Sequence, residues 1–415
     1  MNHTARSCGV VLLGMVALTM ACGEATSGDS QADVQPVADQ EANDSEVLAP
    51  PVPFDWCDPL TPPDSVCFAA KRDPNSDGIA LALAIAEKQM DLHPAPSLAW
   101  NWEEAVMLLG FLELYKVTGE EQLLEYCKAY VDHHAAAGYK MGTSDTCAPA
   151  GVAVWLYHFT GDDSYRAVAE DALTYLYEEA RRTEEGGISH LGIVDIVTLW
   201  VDSLFMFGNV FMGWHETSGD VVALAAMGEQ LSIFADLLQD EGGFYTHAYQ
   251  WIIQQTPDVY WSRGNGWVAV AGASYLRLRA LRGEDDGAAR ASLGKLVAAA
   301  VATQDVETGL WWTILNRPGK AYMETSGAAL FAYGMARGWR YGWLDDAVLE
   351  SVDAAMVGVV GRITQDEEGR PVVTGISGPT TADKLEVYLG IPVADDLPFG
   401  IGAVILALVE TSGLP

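Results

Sequence analysis

Asp202 is the one ionisable residue in an otherwise apolar run, Thr198 to Gly208, TLWVDSLFMFG. A carboxylate moved into apolar surroundings loses hydration, and its pKa rises. A carboxyl that keeps its proton near neutral pH can act as a general acid. The same pattern also reads as a helix start, since Asp is a favoured N-cap and a helix is predicted from Ser203. The two readings are compatible, because a residue at the mouth of a helix can face a ligand.

A second carboxylate, Asp145, lies in GTSDTCAPAG, where it could also cap a helix from Pro149. Around these two acids the sequence scatters aromatic and polar groups: Trp100 and Trp102 in WNWE, His190, His247 in GGFYTHAYQW, and YWSRGNGW from Tyr260 to Trp267. Trp311 and Trp312 follow in TGLWW, and Glu324 in METS. Trp and Tyr faces in a cleft with a few carboxylates suit a pyranose ring, whose C–H faces are apolar and whose rim is hydroxyl. Gly264-Asn265-Gly266 reads as a turn presenting Trp261 and Arg263 on one side, with Trp267 on the next helix. An Arg between two Trp suits an anionic group, the alternative being a pair with a structural Asp or Glu. Each other residue has a plainer alternative. The histidines could be satisfied loop or core residues, Trp311 and Trp312 a core plug, and Glu324 part of a capping network with Thr325 and Ser326.

The elements that must position these residues read as helix after helix from about Asp77. Runs such as GIALALAIAEKQM and WEEAVMLLGFLELYKVTG space apolar residues by three and four. A repeat recurs: LYKVTGE (114–120), LYHFTGD (156–162), WHETSGD (214–220) and a degraded LRGED (281–285). In each, Gly supplies a left-handed helix end and an acid favours the start of the next helix. A single helical hairpin cannot bury its apolar face, so the copies must stack. Their spacing leaves room for roughly six hairpins, which predicts an all-α (α/α)6 barrel, an open solenoid being the alternative. The ring is preferred because aromatic-rich loops recur once per hairpin, on one face.

Of 415 residues, 57 are acidic and 23 basic, a net charge of -34 that argues against nucleic acid as a partner. Residues 1–22 read as an export signal: Arg6 without an acid, an apolar stretch from Gly9 to Met20, then Ala21-Cys22-Gly23. Small residue then Cys resembles a lipoprotein signal with lipidation at Cys22, which would make the membrane a partner only through that anchor. Residues 23–50 read as a disordered acidic tether and 51–415 as the catalytic domain. In an exported chain Cys57 would pair with Cys67 and Cys127 with Cys147, against the alternative of buried thiols.

Taken together, TLWVDSLFMFG, GGFYTHAYQW, YWSRGNGW, ETGLWW and METSGAALFAYGMARG resemble, in order and spacing, glycoside hydrolase family 105, the unsaturated rhamnogalacturonyl hydrolases, with the family 88 unsaturated glucuronyl hydrolases as relatives. The resemblance implies an (α/α)6 barrel and an oligosaccharide substrate with a C4=C5 double bond in its terminal uronic acid. It implies no metal or organic cofactor. It places the proton donor on Asp202 and a second catalytic carboxylate on Asp145. It places substrate contacts on His190, His247, Trp261, Arg263 and Trp267. One departure stands out: where many members carry His-Gly before the last helix, this chain has Pro398-Phe399. Two competing functions remain at this point. One is an ordinary inverting glycosidase, for which the carboxyls would stand about 6.5–9.5 Å apart. The other is a glycan-binding lipoprotein without catalysis.

Overall fold

Three of the four glycines predicted to end helices do so: Gly119, Gly161 and Gly219 terminate their helices in the left-handed region, at φ 70°, 69° and 77°, whereas in the degraded copy the helix is capped by Arg282, one residue before Gly283. Asp162 and Asp220 then open the following helices by accepting hydrogen bonds from Ser164 N and Val222 N. The computed structural model describes residues 71–415 except 254. The expected export signal, tether, Cys22 lipidation and Cys57–Cys67 pair lie outside the described residues.

Among the described residues, twelve long helices alternate between an outer and an inner layer. The outer helices are α1 (Asp77–Leu92), α3 (Glu121–Ala137), α6 (Asp163–Thr174), α8 (Val221–Leu238), α10 (Gly287–Thr303) and α12 (Ala347–Val360). The inner helices are α2 (Trp102–Thr118), α5 (Pro149–Thr160), α7 (Ser203–Ser218), α9 (Ser262–Leu281), α11 (Thr325–Arg340) and α14 (Pro398–Thr411). Two short helices, α4 (Ser144–Cys147) and α13 (Leu385–Gly390), lie in the connections. Each inner helix packs on the next, and α14 packs back on α2, so the ring closes as an (α/α)6 barrel. Inner helices are apolar all round because both faces are covered: every residue from Phe399 through Glu410 is buried.

Short antiparallel ribbons decorate the ring. β1 (Leu199–Trp200) pairs with β2 (Ala248–Tyr249), β3 (Trp311–Trp312) with β4 (Met323–Glu324), β5 (Ile363–Gln365) with β6 (Pro371–Val373), and β7 (Ile376–Ser377) with β8 (Val393–Ala394). All of them lie in outer-to-inner connections, so they gather at the end where the inner helices begin. The aromatic-rich loops share that end, as the repeat implied.

The opposite end is closed by buried charge. Glu410 of α14 bonds Arg72 at 2.7 Å and Arg337 at 2.6 Å, and Arg340 lies 3.5 Å away. Glu113, Glu216, Arg277 and Arg337 line a cavity of about 50 Å³ inside the ring.

One sequence expectation is corrected here. Cys127 and Cys147 are free, buried thiols. Each sits on a different helix in an apolar setting, and the Cys127 Sγ faces the carbonyl of Leu108 at 3.7 Å instead of another sulfur.

Candidate active site

The β1–β2 ribbon sets the geometry. Trp200 is registered opposite Ala248, and Val201 N bonds the carbonyl of His247 at 3.0 Å. Asp202 and His247 thereby face each other across the ribbon's end, with His247 Nε2 3.2 Å from Asp202 Oδ2. Asp202 occupies the N-cap position of α7, yet its side chain makes no capping bond. The carboxylate is therefore not spent on capping the helix. Asp145 likewise does not cap α5; Thr143 caps the small turn around it through Thr146 N.

Asp145 has its own imidazole. His190 N bonds Thr198 O, and His190 O accepts from Ser144 N, which ties the His190 loop to the Asp145 turn. His190 Nε2 lies 3.7 Å from Asp145 Oδ2. Two couples result, and each imidazole has its other nitrogen held by a hydroxyl: His190 Nδ1 pairs with Ser203 Oγ at 3.1 Å and His247 Nδ1 with Tyr388 Oη at 2.7 Å. Trp200 stands between the two rings, stacked on His190 and edge-on to His247.

The two carboxyls are driven apart electrostatically. Desolvation raises the Asp145 carboxyl above the usual range; His190 opposes this and the charge of Asp202 adds to it. For Asp202 burial also pushes upward, but His247, then His190 and Arg263, outweigh it and hold the carboxyl below its ordinary value. This differs from the rise expected of an acid in an apolar run. The apolar neighbours are local in sequence, whereas the compensating imidazole arrives from another hairpin. Desolvation also raises Glu103, which Arg263 opposes and Asp145 reinforces, so a third acid lies within electrostatic reach of Asp145.

The remaining predicted residues divide. Trp102 is half-buried and stacks on Phe399, ring centroids 4.8 Å apart. Trp100 braces the scaffold: it stacks on Tyr139 at 4.7 Å, and its indole N–H donates to Thr146 O beside Asp145. Trp261 is buried against His247, at 4.5 Å. Trp267 is completely buried against Phe205 in the core.

Arg263 is also completely buried, between the rings of Trp261 and Phe399, each 4.6 Å from the guanidinium carbon. Its Nη atoms donate to Ser377 O at 2.7 Å and Gly378 O at 2.8 Å, and Glu324 lies 3.7 Å away. This is the structural pairing, not the open anion clamp that the motif suggested. Glu324 caps α11 by accepting from Ser326 N and Gly327 N, and Trp311 is a core plug donating to Ala300 O. The Gly264-Asn265-Gly266 triplet is not a turn but the first turn of α9. The glycines are needed for close approach: a β-carbon at Gly266 would meet Leu330 at 2.8 Å, and one at Gly264 would meet Trp261 at 2.8 Å.

Sequence reasoning missed Trp200, Ser203, Glu103 and Tyr388 as site residues. The first three carry a local signal, flanking Asp202 or following Trp102. Tyr388 carries none, being 141 positions from its partner His247. Among the described residues no group of three or more His, Cys, Asp or Glu could hold a metal ion.

The model of Glycosyl Hydrolase Family 88 matches residues 82–414. The unsaturated rhamnogalacturonyl hydrolase YesR of Bacillus subtilis is 28% identical over 289 residues, covering 68% of this chain and 83% of the relative. A solved structure of a possible family 105 member from Klebsiella pneumoniae superposes with a TM-score of 0.72 at 23% identity, covering 81% of this chain and 93% of the other. The unsaturated glucuronyl hydrolase of Bacillus sp. GL1 superposes with a TM-score of 0.63 at 18% identity, covering 80% and 95%. These solved structures speak for the fold.

Proposed function

The chain belongs to glycosyl hydrolase family 88, and from that premise we propose that it removes a 4,5-unsaturated uronic acid from the end of lyase-generated oligosaccharides, as an unsaturated rhamnogalacturonyl hydrolase. The observation that carries this is Asp202, free of its capping duty and held 3.2 Å from His247 Nε2. The chemistry is hydration of a vinyl ether. The C4=C5 π electrons take a proton at C4, and the cation left at C5 is stabilised by the ring oxygen. Water adds at C5 and gives up its own proton. The resulting hemiketal opens, and the neighbouring sugar leaves.

One group must therefore deliver a proton and one must receive it. The Asp202–His247 couple does both in this reading. Its mobile proton rests on the imidazole side, passes to C4 through the Asp202 carboxyl, and is replaced from the attacking water. Asp145, with His190 behind it, orients the sugar hydroxyls or the water. Trp102, half-buried, supplies aromatic surface beside the sugar.

We further propose export and anchoring through a lipidated Cys22, on the strength of the Arg6, apolar and Ala-Cys pattern of residues 1–23. Incorporation of labelled palmitate that persists in Cys22→Ser would refute the anchor.

The activity is tested with lyase-digested rhamnogalacturonan, following the ultraviolet absorbance of the conjugated double bond. Loss of absorbance with release of a shortened oligosaccharide is the expected result. Cleavage of a saturated substrate without loss of absorbance would point to an inverting glycosidase. Tight binding without product would point to a glycan-binding protein.

A further inference from the structure

Tyr388 reaches the site from the last excursion of the chain. It lies on α13, whose first amide, Leu385 N, donates to Thr256 Oγ1 in the loop after β2. Its ring is buried with Val259, Trp261 and Ile314, and its hydroxyl lies 2.7 Å from His247 Nδ1. His247 is 1% exposed, so water does not compete for either ring nitrogen. The other nitrogen, Nε2, has Asp202 Oδ2 at 3.2 Å.

In a neutral imidazole one nitrogen carries the proton, and the partner of the other decides which. A phenol that donates to Nδ1 leaves the proton on Nε2, facing the carboxylate. A phenol that accepts would require the proton on Nδ1 and would set two lone pairs against each other across the Asp202 contact. We propose that Tyr388 is a positioning residue for the reaction: by donating to His247 Nδ1 it keeps the transferable proton on Nε2, beside Asp202. The inference rests on the hydration reading for its catalytic meaning, though not for its structural content.

The electrostatic surroundings agree. Burial raises the Tyr388 phenol; a backbone hydrogen bond at Asp383 opposes this, and the charges of Asp202 and Asp383 add to it, so the phenol stays protonated and able to donate. The charged and titratable groups facing the couple from the elements around it are His190, Arg263, Asp145 and Tyr388. Among these, Tyr388 is the one with a hydroxyl on His247 itself.

The test uses full-length protein labelled with ¹⁵N-histidine, in which the His247 signals are identified by their loss in His247→Gln. Wild type is expected to show a protonated Nε2 and an unprotonated Nδ1 at neutral pH. Tyr388→Phe keeps the buried ring and removes only the hydroxyl. It is expected to shift His247 toward the opposite tautomer or a mixture. A wild-type signal with Nδ1 protonated, or a Tyr388→Phe spectrum identical to wild type, overturns the proposal.

On an unsaturated oligosaccharide, Tyr388→Phe should lower kcat roughly 10- to 100-fold with KM nearly unchanged. The acid limb of the pH profile should move upward, because Asp202 loses its facing proton. A lower melting temperature with an unmoved pH profile would mark a purely structural role and also overturn the proposal. Failure of wild type to turn over any unsaturated uronide would sink the hydration reading alone, and the tautomer measurement would still decide the role of Tyr388.

Discussion

The imidazole of His190 lies flat on the indole of Trp200, centroids 4.5 Å apart and planes within 6°. The edge of the same indole meets His247 at 5.1 Å and 70°. One side chain therefore spaces both His–Asp couples. Trp200→Ala should lower kcat by well over tenfold while shifting the melting temperature modestly, since Trp200 belongs to a small satellite cluster rather than the main core. Steady-state kinetics with a thermal melt check this; a large melting loss with unchanged kcat would contradict it.

Asp202→Asn keeps the shape of the carboxyl and removes its proton chemistry. Turnover should fall by about 10²- to 10⁴-fold. Asp145→Asn should cost less, because an amide copies the protonated carboxyl toward which the surroundings already push Asp145. The ranking is read from kcat/KM on one unsaturated oligosaccharide, and a reversed order would exchange the roles of the two acids.

Arg263→Lys should loosen the connection that holds Tyr388. The guanidinium binds Ser377 O and Gly378 O at once, while an ammonium cannot span both or fill the space between Trp261 and Phe399. Hydrogen exchange in residues 376–384 should accelerate at least tenfold, with the inner helices unaffected. Unchanged protection there would mean that the segment is held by other contacts.

Stability should fall in acid through the far end of the ring. Burial works against the ionised forms of Glu410 and Glu216. Arg337, Arg72 and Arg340 for Glu410, and Arg277 with Lys116 for Glu216, more than compensate and bring each to about 2 from 4.5. The unfolded chain binds these protons at higher pH than the folded one. The stability they contribute is therefore complete above about pH 4.5 and drains away as pH falls toward 2. Glu410→Gln removes the buried carboxylate that Arg72, Arg337 and Arg340 share, which costs roughly 3–5 kcal/mol. Urea midpoints across pH 2–6 should fall less steeply in that variant than in wild type.

Cys127 and Cys147 should alkylate fully in unreduced, denatured protein and scarcely at all in native protein. Burial raises both thiols, so the reactive thiolate is suppressed while the fold persists. Peptide mass spectrometry settles the point, and a Cys127–Cys147 cross-linked peptide would contradict it.

What could be read from sequence was local. Gly119, Gly161 and Gly219 announce helix ends because a left-handed residue is a one-position requirement. Asp202 announces itself because its neighbours in the chain are also its neighbours in space. The rest depends on contacts between distant hairpins. The pull of His247 on Asp202, the reach of Tyr388 and the burial of Arg263 under Phe399 all cross from one connection to another. The Gly264–Gly266 triplet misled for a related reason: glycine serves both turns and close helix packing, and only Leu330, 64 positions beyond Gly266, distinguishes them.

The clasp between Arg72 and Glu410 has a topological meaning. Helix α1 packs on α14, and Gly413 comes so near Asp73 that a β-carbon on it would stand 3.1 Å from the Asp73 amide nitrogen. Beginning and end of the described chain meet at one seam, so the hairpins form a cycle without a first or last member. An open repeat array needs polar capping units at its ends; a closed one does not. Nothing in the packing then privileges the present starting point. A permuted chain, joined by a short linker across the seam and cut at the exposed Gly283 turn, should assemble the same ring. Such a ring has no free edge from which to unravel, and its hairpins should be lost together.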